Sequence, residues 1–128
     1  MQNLSMKEDW EHLRCLALKE IEATLMELPK PLREQARKLP ITFELVPNKD
    51  LQADGIERDT LGIFTGAEFS DECITMLPPQ IMIFIGNLWD FSRNNEEIFR
   101  EEIRTTFLHE LGHYFGLDEN DLEERGLN

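Results

Sequence analysis

Histidines at positions 109 and 113, with a glutamate directly after the first, constrain this chain more than any other feature. The stretch reads His109-Glu-Leu-Gly-His113-Tyr-Phe-Gly116-Leu-Asp118-Glu119. Side chains four apart on an α-helix lie about 40° apart around its axis, so the two imidazoles share a face only if this segment is helical. Such a helix needs an apolar back, and Phe107, Leu108, Leu111 and Phe115 project away from the histidines to supply one. The rest of the chain must then offer a surface for that back. Gly116 follows, and glycine takes the left-handed conformation that ends a helix and lets the chain turn.

Upstream, Ser5-Met-Lys-Glu8 reads as a capping box. Met6, Trp10, Leu13, Ala17, Ile21, Leu25 and Leu28 then form one stripe at helical spacing. Cys15 falls within that apolar pattern and reads as a small core residue. Pro29 and Pro31 end the helix, a short one follows over Leu32 to Leu39, and Pro40 closes it. Ile41 to Val46 has the composition of a strand. Residues 48–60 are polar and read as a long loop, a candidate flap. Strands are expected at 61–64, before a Thr65-Gly66 turn, and at Ile81 to Ile85, whose unbroken apolar run suits burial on both faces. The last helix should run from about Glu96 to Phe115, capped by Asn94 or Asn95. This order gives an α+β fold, a small mixed sheet packed against the histidine helix and an N-terminal helix. At 128 residues we expect one domain, 1–128.

Composition narrows the partners. The formal net charge is −13, which sets the molecular field against polyanions, so neither nucleic acid nor an anionic membrane is expected as a partner. The first nine residues are polar and lack the pattern of a signal peptide, and no apolar run is long enough to span a bilayer. Cys15 and Cys73 are too far apart in sequence for a metal-type spacing. A cytoplasmic protein is the expectation. A monomer is compatible with it.

The motif itself carries chemistry. Two neutral imidazoles at i and i+4 suit two corners of a zinc tetrahedron, and Glu110 leans to the same side as a base for water on the metal. Gly112 leaves the space between the imidazoles clear. Only three histidines occur in the chain, and two are here. After the Gly116 turn, Glu119 stands ten residues past His109 with Asp118 beside it. We assign the third ligand to Glu119 over Asp118, because the longer side chain suits a ligand arriving from a loop. Two histidines and one carboxylate leave one position open, the pattern of a catalytic zinc site.

The segment HELGHYFGLDENDLEERG resembles the minimal zincins, short bacterial zincin-like metallopeptidases. Leu61-Gly-Ile-Phe-Thr-Gly66 and Leu77-Pro-Pro-Gln-Ile-Met-Ile-Phe84 are similar to two further stretches of that family, so the resemblance covers roughly 40–126. It implies a compact fold, a zinc site on the main helix and a presumed peptidase activity. The spacing is also similar to the metzincins. Their third ligand is usually histidine, however, and here no methionine follows Glu119 to form their methionine turn.

Three functions compete. The first is hydrolysis of peptide bonds in a peptide or protein substrate by a metal-activated water, with Glu110 as general base. The second is a zincin-fold metal-binding module with little turnover. The third is a metal-dependent endoribonuclease, which Glu110, a carboxylate at 119 and the negative charge all oppose. Among other residues, His12 reads as a surface histidine and Tyr114 as a packing residue. Thr106 and Glu102 lie on the histidine side of the helix, Arg125 is a candidate for carbonyl polarisation, and LGIFTG is a candidate edge strand for an extended peptide.

Overall fold

A computed structural model describes residues 6–66 and 79–116. The prolines divide the first part of the chain as expected. Helix α1 spans Met6–Glu27 and α2 spans Lys30–Ala36, with Pro31 in the first turn of α2 where a missing N–H costs nothing. The second helix thus starts earlier and ends sooner than the sequence suggested, though Leu39 is still buried. Of the α1 stripe, Leu13, Ala17, Ile21, Leu25 and Leu28 are all buried. Cys15 is not a core residue: it is exposed. Two residues past Leu13 is about 200° around the helix, which turns the thiol to the outer face. Ser5, of the expected capping box, lies outside the described residues.

Strand β1, Ile41–Glu44, is shorter than expected. The following polar stretch is not all loop. It contains a short helix, α3, Lys49–Ala53, which the Asn48 side chain caps by accepting from the Leu51 N–H at 2.8 Å. Gly55 ends this turn at φ +100. Strand β2 is Gly62–Thr65 and β3 is Gln80–Phe84. Chain order and space order differ: the sheet runs β1-β3-β2, with β1 parallel and β2 antiparallel to β3. Ile41 pairs with Ile81, and Phe64 pairs with the same Ile81 from the other side. Among the described residues β2 is therefore an edge strand. Central β3 is sealed on both faces at Ile81, Ile83 and Phe84, while Met82 is partly exposed.

The apolar run did not end in a strand. Its last part folds as helix α4, Ile85–Phe91, because a continuous apolar run has no period that separates strand from buried helix. The change of direction occurs where the backbone of Leu45 crosses Gly86. A Cβ there would stand 2.6 Å from the Leu45 carbonyl oxygen. Asn87 then donates its backbone N–H to that carbonyl and its side-chain amide to the Arg58 and Thr60 carbonyls. Arg93 and Asn94 take positive φ to leave α4, and Asn95 caps the next helix by accepting from the Ile98 N–H at 3.0 Å.

That helix, α5, spans Glu96–Tyr114. It packs against β2 and β3 on one side and against α1 and α4 on the other. Phe99, Ile103 and Phe107 are fully buried, and each such side chain stabilises the fold by about 1.5–3 kcal/mol relative to exposure. With α1 alongside it and the sheet against it, α5 is held by four other elements, which is what a fixed platform for functional groups requires. No described helix is long and apolar enough to cross a membrane.

Candidate metal centre

The last two turns of α5 carry His109, Glu110 and His113, all partly buried. Phe107, Leu108 and Leu111 are buried on the back of the helix, as their spacing required. Held this way, the imidazoles converge: His109 Nε2 lies 3.1 Å from His113 Nε2, with the ring planes at 85°. One candidate ligand atom from each of the two histidines and from Glu110 can be chosen so that all three lie within 4.8 Å of one another. Two nitrogens each about 2.05 Å from a zinc ion at the tetrahedral angle would be about 3.3 Å apart. The observed separation is close to that edge, so the donor set fits a small tetrahedral cation.

Gly116 takes φ +74 and its N–H bonds to the His113 carbonyl at 3.0 Å, so the helix ends as the sequence indicated. The expected third ligand Glu119, its rival Asp118, and Arg125 all lie outside the described residues. Tyr114 is a packing residue. It is buried, its ring sits 5.7 Å from that of Phe64, and burial raises the phenol above its ordinary value. His12 is an exposed residue whose Nε2 lies 2.6 Å from the Glu96 carboxylate. Glu96 opens α5, thirteen residues before His109, or about 20 Å along the axis. The third histidine is thus remote from the other two.

Two cavities meet at Glu110. One, of about 490 Å³, is lined by Gly62, Ile63, Phe64, Gly66, Glu110 and His113. The other, of about 210 Å³, is lined by Leu61, Gly62, Glu102, Thr105, Thr106, His109 and Glu110. Glu102 and Thr106, placed on the histidine side from the sequence, therefore do line the cleft. Gly62 belongs to both cavities and was not singled out. A Cβ on it would lie 2.6 Å from Thr106 Cγ2 and 3.3 Å from the Met82 carbonyl oxygen, so glycine is what lets β2 run this close to α5. The signal in the sequence was a glycine opening an otherwise apolar strand, which often marks close backbone approach.

The fold and this site define a small α+β protein whose enclosed helix presents a candidate metal site beside a sheet edge. Over residues 36–127 the sequence matches the zincin-like metallopeptidase family, and the chain belongs to that family. No curated protein matches it. The family implies a metal, and the group formed by His109, Glu110 and His113 is one that could hold it.

Proposed function

We propose that this protein is a zinc-dependent peptidase. The observation that carries the reading is the convergence of His109 and His113 at 3.1 Å, with Glu110 alongside, in a cleft bordered by β2. His109 and His113 would hold the zinc, with Glu119 as third ligand. When bound, zinc supplies Lewis acidity, which makes water a nucleophile at neutral pH and polarises the scissile carbonyl. Glu110 accepts the proton of the attacking water and delivers it to the departing amine. As an edge strand among the described residues, Gly62–Thr65 suits an extended peptide, which would add to the sheet by main-chain hydrogen bonds and place its carbonyl over the histidines. A peptide or protein substrate in the cytoplasm is the corresponding setting.

The test pairs metal content with turnover. Protein purified without chelator should carry one zinc per chain by elemental analysis. His109→Ala should lose it. Glu110→Gln should keep the metal and the fold while hydrolysis falls by at least a hundredfold, the lower end of what a general base contributes. Parent-level cleavage by Glu110→Gln would remove Glu110 from the role of base. A zinc-loaded parent that cuts nothing in a broad peptide library would favour the binding-module reading instead.

A further inference from the structure

Of the two cavities that meet at Glu110, the smaller contains a second carboxylate that the hydrolytic reading does not use. Glu102 is half-buried in the wall formed by Leu61, Gly62, Thr105 and Thr106. It makes no hydrogen bond or ion pair among the described residues: the three ion pairs found there join His12 to Glu96, Arg37 to Glu22 and Arg104 to Glu27. It is therefore not the hydrogen-bond support of His109, and among the described residues no lysine or arginine lines either cavity. A carboxylate with no cation partner among the described residues is a place where an incoming cation can form an ion pair. The cavity has about 210 Å³, some seven waters' worth at roughly 30 Å³ each, on the scale of one long side chain.

We propose that Glu102 makes this cavity a subsite for a lysine or arginine side chain of the substrate, just to the carboxyl side of the scissile bond. The inference rests on the peptidase reading for its substrate and adds the chemical class. Direction follows from the lining residues. Leu61 and Gly62, at the start of β2, face Glu102 and His109, whereas Phe64 and Gly66, at its end, face His113, so β2 and α5 run the same way. A peptide added antiparallel to β2, the stronger pairing, lays the residues after its scissile bond toward Leu61. Glu102 precedes His109 by seven residues, about 10.5 Å along the helix. One strand residue advances about 3.4 Å, and the long stem of lysine or arginine covers the remainder where a short side chain does not.

Two measurements on the zinc-loaded full chain test this. In the first, hexapeptides carrying lysine, norleucine or glutamate directly after the scissile bond are compared by kcat/KM, with the cut mapped by mass. Lysine should exceed glutamate by roughly three- to tenfold in the parent, the ratio should collapse in Glu102→Gln, and it should invert in Glu102→Lys. In the second, labelled lysine and glutamate hexapeptides are bound to Glu110→Gln and to the Glu110→Gln, Glu102→Gln double variant, a readout that needs no turnover. The lysine peptide should bind more tightly to the first by the same factor and lose that advantage in the second. A lysine preference unchanged by Glu102→Gln, or a basic preference on the amino side only, overturns the subsite and leaves the peptidase reading intact. No cleavage by the parent, with lysine binding that still depends on Glu102, overturns the peptidase reading and the place of the subsite beside a scissile bond, and leaves Glu102 as a binding site for a basic side chain.

Discussion

At the scale of single residues, the contact between Gly62 and Thr106 sets how closely strand and helix approach. A methyl group at Gly62 would meet Thr106 Cγ2 at 2.6 Å, well inside contact distance. Gly62→Ala should therefore destabilise the fold by about 1–3 kcal/mol, the ordinary cost of overpacking. It should also weaken peptide turnover by lifting β2 from α5. Because the obstacle is mostly one side-chain methyl, adding Thr106→Ser should return most of the lost stability in urea unfolding. A double variant no more stable than Gly62→Ala alone would show that the Met82 carbonyl, at 3.3 Å, is the true limit. Gly86 offers the contrast. Its neighbour at 2.6 Å is the Leu45 carbonyl oxygen, main chain that no side-chain truncation removes.

At the scale of elements, α5 is where sequence and structure agree most closely. Its face assignment follows from one period: His109 and His113 come together on one side while Phe107, Leu108 and Leu111 go into the core. Its ends follow from local chemistry, with Asn95 at the start and Gly116 after the last turn. Replacing Asn95 by alanine should cost about 1 kcal/mol in denaturant unfolding, since the Ile98 N–H loses its acceptor. A cost near zero would mean that water caps the helix equally well. Where local chemistry is ambiguous, the sequence misled. Ile85 and Gly86 continue an apolar run that looks like strand, and only the crossing Leu45 backbone, some forty residues earlier in the chain, shows why a helix starts there. Cys15 falls among the apolar residues Leu13, Leu16 and Ala17, yet its angle on α1 turns it outward. Asn48 is a legible cap, but α3 has too few apolar residues to announce itself and buries none of them. Gly62 was missed for a related reason. Its role lies in a contact between segments forty-four residues apart, which no window of sequence contains.

At the scale of the whole molecule, one cluster of buried side chains runs from Leu13 on α1 through Ile81 and Ile83 to Tyr114, the residue after His113. The candidate metal ligands stand on the same helix as that cluster, and metal binding should be felt as global stability. A ligand bound only by the folded state stabilises it by about 1.4 kcal/mol for each tenfold excess over its dissociation constant. Removing zinc with a chelator should lower the thermal midpoint by several degrees, and restoring zinc should recover it. His113→Ala should show no such response. A midpoint indifferent to zinc in the parent would separate the site from the fold. The effect should weaken as pH falls, because protons compete with zinc for the imidazoles.

The passage between β1 and β2 has a practical consequence for anyone altering this chain. Its helix α3 contributes nothing to the interior, and the amide of Asn87 clasps its far end by holding the carbonyls of Arg58 and Thr60 at 2.6 and 2.9 Å. With that clasp intact, the start of β2 is fixed independently of whatever lies between Lys49 and Gly55. The segment is therefore a port for grafting, where an affinity tag or a fluorescent reporter can be spliced in without shifting the strand that borders the histidines.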